Sequence, residues 1–338
     1  MAFLSANSYM GLVVEATRGT LPTGGTPVYI PVTSPQVTPM QTFLRDEAFR
    51  GSPTLVYDQV QGVRHDEYDS KFYLFADTFG TLAKSILGGT DTVTGSSVYT
   101  HNIKLLNNAA IGSQPQSYSI LDFDGANYFT MTGAQADSLA ITFGAEAAAD
   151  ATVKFMANPY TSYTSAPAPF TNLSLSTEHM IPAWDTSITV SGINSGAALT
   201  YIQSGDITLA RKTAPIFTMG TQAPLVNFAG PIEVSGKFIA VVNTNADAWS
   251  TGSSAEALTR SPQVVTITMT DPNDSTSATN HSIAFTMTSV QFHDVKRTRG
   301  KEYTEVELSF TANANATDAT TGYSPVQATI VNATAAAY

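Results

Sequence analysis

The sequence predicts a mainly β fold with a minor α component, in two tandem domains that each run strands, one helix and then more strands. Three observations carry that expectation. Of the 338 residues 43% are hydrophobic and only 13% charged, with Thr, Ser, Ala and Asn abundant, which suits strands with one polar face better than long charged helices. Runs such as "TITMTD" from Thr266 alternate apolar and polar residues with the period of two that a half-buried strand requires. The heptapeptide "FTMTGAQ" from Phe129 returns as "FTMTSVQ" from Phe285, and it does so in order with other matches, which marks a tandem duplication.

Residues 1–40 read as an N-terminal arm. Prolines remove ladder donors and glycines allow tight turns in "ATRGTLPTGGTPVYIPVTSPQVTP", so short extended pieces are expected there. The first domain is expected over 41–160 and the second over 183–315. At one offset Thr42, Arg45, Ala48, Val60, Glu67, Lys71 and Phe72 fall on Thr208, Arg211, Ala214, Val226, Glu233, Lys237 and Phe238. Asp77 is placed to cap a helix over "TFGTLAKSILGG", with Phe79, Leu82, Ala83 and Ile86 on one face and Gly88 and Gly89 as the stop. The second copy offers the weaker "STGSSAEALTRSP", ended near Pro262. "NIKLLN" from Asn102 is matched with "TITMTD", and each copy closes on a similar strand, "VKFMAN" from Val153 and "LSFTAN" from Leu308. Residues 161–182 are rich in Pro, Ser and Thr and read as a linker; 316–338 form a C-terminal tail able to add a strand or dock.

Several function classes are excluded on chemical grounds. Lys plus Arg total 16 against 27 for Asp plus Glu, a formal net charge of -11 that repels phosphate, so tight nucleic-acid binding is not expected. There is no cysteine, hence no disulfide framework, thiolate metal site or cysteine nucleophile. His65, His101, His179, His281 and His293 are scattered without metal-ligand spacing, and no nucleophile elbow or phosphate loop is present, so no enzyme, metal or cofactor is expected. "DFDGANYF" from Asp122 has Gly133 where a calcium loop needs a bidentate carboxylate, and reads instead as an Asp-Gly hairpin turn. The start lacks a basic signal region and no run approaches 18 apolar residues, so neither a signal peptide nor a membrane span is expected.

Two surface features remain. In "KEYTEVELSF" alternation puts Glu305 and Glu307 on the face opposite Val306, Leu308 and Phe310. In "DVKRTRGKEY" the cations Lys296, Arg297, Arg299 and Lys301 gather around Gly300, either as a hairpin tip that pairs with an acidic neighbouring subunit or as solvated charge.

An opening with Gly11, Glu15, Thr17 and Gly19 leading to "YIPV", the Lys-Phe strand followed by a helix, and the closing "FTMTSVQF…GKEYTEVELSFTA" together resemble tail tube proteins of long-tailed bacteriophages. The resemblance implies that each tandem domain is a tail-tube-like β-sandwich or barrel with a flanking helix, and that the chain is a structural virion protein, assembled in the host cytoplasm, whose rings stack into a hollow tube for genome ejection. Two tube domains per chain imply a trimeric ring with pseudo-sixfold symmetry, with a hexamer as the alternative. It further implies a tape-measure protein and tail terminator or tip proteins as partners, DNA passing without specific binding, and no membrane. Thr130, Thr132, Thr286, Thr288, Glu305 and Glu307 are the lumen-facing candidates, and the arm and linker are the candidates for contact between rings. A β-rich virion-surface or cell-surface adhesion or decoration module is the alternative function, which the loose aromatic cluster Tyr160, Tyr163 and Phe170 would serve.

Overall fold

The computed structural model describes residues 4–191, 198–241, 262–299 and 302–338. The strands of its first half are β1 (Tyr9–Val14), β2 (Val28–Ile30), β3 (Ser34–Asp46), β4 (Asp58–Tyr73), β5 (Thr92–Gly95), β6 (Tyr99–Lys104), β7 (Tyr118–Phe123), β8 (Tyr128–Gly144), β9 (Asp150–Ala157) and β10 (Thr161–Tyr163). Those of the second half are β11 (Thr186–Val190), β12 (Ile202–Ala210), β13 (Ala214–Ile216), β14 (Val226–Phe228), β15 (Glu233–Val241), β16 (Gln263–Thr276), β17 (Thr279–Thr298), β18 (Glu305–Ala312) and β19 (Gln327–Asn332). Among the described residues there is one α-helix, α1 (Phe79–Leu87). The fold is therefore mainly β, as composition and alternation predict.

All the pairings between these strands are antiparallel, and one pairing pattern occurs twice. In the first half a front sheet runs β8–β9–β4–β3, and a rear sheet runs β2–β1–β7–β8–β10. The second half repeats it as β17–β18–β15–β12 and β11–β16–β17–β19. The long strands β8 and β17 belong to both sheets of their halves, and an irregularity marks each change of sheet. β8 passes from Met131↔Ile120 to Ala134↔Tyr118, and β17 from Met287↔Val265 to Val290↔Gln263. A second bulge follows at equivalent places, Asp137 in β8 and His293 in β17. The repeated heptapeptides span the first of these irregularities. Their similarity thus writes the same bend twice.

The pairings correct several expectations. The counterpart of β16 is β7, not the "NIKLLN" strand β6, which pairs with β5 and β19; alternation identifies a half-buried strand but not its neighbour. Lys71 faces Ser34 and Lys237 faces Asp206, so β3 and β12 correspond six residues away from the offset that aligns Lys71 with Lys237. Within the expected arm of short strands, residues 9–14 form a rear-sheet strand with Met10 and Leu12 fully buried. Of the two outcomes expected for the tail, an added strand or a docked segment, it contributes the strand, β19, between β17 and β6.

Helix α1 starts after Thr78, with no side-chain cap; Asp77, the expected cap, instead donates its backbone N–H to Glu178 Oε2 at 3.0 Å. It stops where expected, at Gly88, whose φ of +76° lets its N–H reach Lys84 O. Every residue but Lys84 is buried, and Phe79 meets Phe285 edge-on at 5.8 Å. The buried Arg211 guanidinium donates to the last carbonyls, Ile86 O and Leu87 O, placing positive charge at the negative end of the helix. The expected second helix over 250–262 lies almost wholly outside the described residues.

The two front sheets join. Residues 138–144 of β8 pair with 204–210 of β12 over seven positions, so an eight-stranded sheet runs β17–β18–β15–β12–β8–β9–β4–β3. Its inner row, including Phe72, Phe155, Leu139, Ile207, Phe238 and Phe310, lies in one continuous core.

Candidate functional site

The outer row of this joined sheet is a continuous polar surface. Alternation places Glu67, Asp69 and Lys71 of β4, Asp150 and Lys154 of β9, Asp206 of β12, Lys237 of β15 and Glu307 of β18 on it, opposite the buried row. The lysines are matched to carboxylates. Lys71 lies 3.0 Å from Asp150, Lys154 lies 2.8 Å from Glu67, and Lys237 lies 3.9 Å from Asp206. Lys296 stands cross-strand from Glu307. Burial pushes the Asp206 carboxyl up, Lys237 pulls it back, and Glu307 pushes it further. The face therefore carries neutralised lysines and surplus carboxylate, a surface that repels phosphate.

At the two ends of the sheet lie open edges. Among the described residues no strand pairs with the outer side of β3, nor with the outer side of Asp294, Val295 and Lys296 of β17. In the other half the corresponding sides, those of β12 and β8, are the ones that pair with each other. The hydrogen bonds of that junction fall on odd-numbered residues, as Ala145 N–H to Gln203 O and Arg211 N–H to Asp137 O show. The same parity, followed through Leu74 N–H to Ala149 O, turns Pro35, Val37 and Pro39 of β3 to the open edge. Two of those three positions carry no donor, a feature that limits uncontrolled edge pairing.

A buried carboxylate holds the bend of each long strand. Glu15, 4% exposed, accepts from Gly133 N–H and Ser119 hydroxyl on Oε1, both at 2.7 Å, and from Gly19 N–H at 2.7 Å and Ser117 hydroxyl at 2.6 Å on Oε2. Gly133 has a φ of +62°, so the bend needs both glycine and this acceptor. In the second half Asp318 takes the role, accepting from Thr288 N–H at 2.7 Å and from the Thr288 hydroxyl.

A family model described as phage tail tube protein matches residues 5–337. The chain belongs to the phage tail tube protein family. That family is structural, not enzymatic, and makes the chain a virion component that builds a tail tube. No curated protein matches the chain. Among solved structures, the TodX monoaromatic hydrocarbon channel deltaS2 mutant is 7% identical over 96% of this chain and 87% of that one, with a TM-score of 0.10, too low to carry any argument. No helix among the described residues is long and apolar enough to cross a membrane.

The candidate residues of this tail tube chain do not form one group. Glu305 and Glu307 share the strand face opposite Val306, Leu308 and Phe310, but Glu305 is buried and Glu307 only half-buried. Thr130 and Thr286 lie in the rear sheets at equivalent register, opposite Thr161 and Gln327. Thr132 and Thr288 sit at the bends: Thr132 O accepts from Asn158 N–H, and Thr288 is held by Asp318. Lys296, Arg297 and Arg299 are exposed at or just beyond the end of β17, whereas Lys301 falls outside the described residues. The turn after Asp122 is a hairpin, with Asp124 Oδ1 accepting from Ala126 and Asn127 N–H. Of the loose aromatic cluster, Phe170 is buried against Tyr29 and Tyr160 meets Phe129 edge-on, while Tyr163 makes no such contact among the described residues.

Sequence reasoning missed one surface. The β3–β4 hairpin extends beyond the sheet and exposes Phe43, Leu44, Phe49, Leu55 and Val60, with Phe49 fully exposed. Its counterpart β13–β14 exposes Met219 and Leu225. The two lie together, Arg64 N–H donating to Gln222 O at 2.9 Å and His65 packing 6.1 Å from Phe217. Repetition of the hairpin is hidden in the sequence because the loops differ in length.

Proposed function

We propose that the chain is a tandem-domain tail tube protein of a long-tailed phage, and that three copies close into a pseudo-sixfold ring whose stacked repeats form the conduit for genome ejection. The observation that carries this reading is the β8–β12 junction, which joins two copies of one strand pattern and places the equivalent strands, β17 and β3, at the two ends of the joined sheet. Repeating the same junction between chains closes the sheet and removes both edges. The first unit extends past the expected boundary at 41, since β3 of its front sheet begins at Ser34, and β1 and β19 complete the rear sheets of the two units.

In this ring the outer row of the front sheet faces the lumen, which puts Glu307 there with the buried Glu305 behind it on the same row, and leaves Thr130, Thr132, Thr286 and Thr288 on or near the rear layer. The basic end of β17, Lys296 to Arg299, then meets β3 of the next chain, next to the β4 carboxylates Glu67 and Asp69. The paired β3–β4 and β13–β14 hairpins, with their exposed apolar tips, are the contact between rings in place of the arm. Removing residues 2–30 would take out β1 and β2 and open the core, so it is not a clean test of stacking. Tape-measure and terminator or tip proteins remain the expected partners.

Electron microscopy of the purified protein tests the reading. Hollow stacked rings with the mass of three chains are expected. Rings of six chains would keep the tube and reject the two-domain ring, and chains that stay monomeric at every concentration would reject both.

A further inference from the structure

Away from the sheet faces, one side-chain cluster has chemistry that a tube does not use. Glu178 comes from the segment between the two halves, Asp274 from the end of β16, and His281 from β17. One donor atom from each lies within 4.8 Å of the others. Asp274 also belongs to a second such group with His179 and Asp271. Acidic clusters are common without any ligand, and His281 is what distinguishes this one. It is 2% exposed, its Nε2 lies 2.9 Å from Thr276 Oγ1, and its Nδ1 is buried without a hydrogen-bond partner. That nitrogen is nevertheless turned into the cluster, 3.2 Å from Glu178 Oε1 and 3.7 Å from Asp274 Oδ1. With Nε2–H donating to Thr276, the arrangement that metal-bound imidazoles adopt, Nδ1 presents a bare lone pair to two carboxylate oxygens. Three electron-rich atoms facing one another call for a cation between them.

We propose that Glu178, Asp274 and His281 bind a divalent cation of the zinc or manganese type, since one imidazole and two carboxylates form a mixed nitrogen and oxygen donor set. The second oxygen of Glu178 already accepts from Asp77 N–H ahead of α1. The ion therefore ties the connecting segment to the β16–β17 hairpin of the second half and to the helix of the first. It fixes how the two halves sit together, which is the geometry a closed ring demands.

The test is independent of assembly. The full-length chain, freed of metal with a chelator, is titrated calorimetrically with Zn2+ and with Mn2+, and bound metal is counted by elemental mass spectrometry. One ion per chain is expected, with a rise in Tm of roughly 5 °C at about a hundredfold excess over Kd. Asp274→Asn and His281→Gln should each weaken binding by at least about tenfold. Glu178→Gln, at a partly exposed site, repeats the test should either of those variants unfold. Failure of the wild type to take up either ion, as an imidazolium paired with the two carboxylates would give, overturns the proposal. So does uptake that survives all three substitutions.

Discussion

Val37→Pro is expected to give a folded chain that no longer assembles. The Val37 N–H faces the open edge of β3 and lies between Pro35 and Pro39, which have none. Proline there leaves the β4 ladder intact, because the residues that bond to β4 are Ser34, Gln36 and Thr38. It does remove the central donor available to the β17 edge of a neighbour. A net hydrogen bond is worth about 1 kcal/mol, and the loss recurs at every junction of every ring, so the critical concentration for assembly should rise by at least roughly tenfold. Sedimentation of assembled material measures it. Val37→Ala, which keeps the N–H and loses similar packing, should still assemble; if both variants fail alike, side-chain packing and not the edge is responsible.

Glu15→Ala is expected to be the most damaging single substitution for folding. It strands two backbone N–H groups and two hydroxyls in the interior at once, those of Gly19, Gly133, Ser117 and Ser119. Breaking a buried network of this kind costs about 3 kcal/mol or more. Glu15→Gln keeps the shape but turns one acceptor into a donor that faces other donors, so an intermediate loss is expected. Urea unfolding followed by circular dichroism provides both values. A loss below about 1 kcal/mol for Glu15→Ala would mean that water satisfies the bend and the carboxylate is not what holds it.

The parts of this fold that are local were legible in the sequence. Alternation located β16 and β18, the Gly88 stop placed the end of α1, and the Asp-Gly turn after Asp122 formed the hairpin it implies. Long-range choices were not legible. Which strand neighbours β16, how β3 and β12 correspond, and that β19 bridges the halves depend on register, which a period of two leaves open. The polar face itself was foreseen only in part. Alternation pointed to Glu305 and Glu307, but Lys71, Lys154 and Lys237 meet their carboxylates across strands far apart in sequence. The cluster of Glu178, Asp274 and His281 was invisible for a similar reason, since its members come from a loop and from two strands of a hairpin, without any ligand spacing along the chain.

The central claim is that chains join as the two halves of one chain already do. The intramolecular junction sets Ala140 opposite Thr208, and the matching strand positions set Lys296 of one chain opposite Gln36 of the next. The chain has no cysteine of its own, so Gln36→Cys combined with Lys296→Cys reports on this contact alone. Under mild oxidation of assembled material the account predicts a disulfide-linked ladder ending at a closed trimer, with no ladder from a control that places the cysteines one residue out of register, at Val37 and Lys296. Tubes that form without any 36–296 cross-link, or that cross-link equally well out of register, would contradict it.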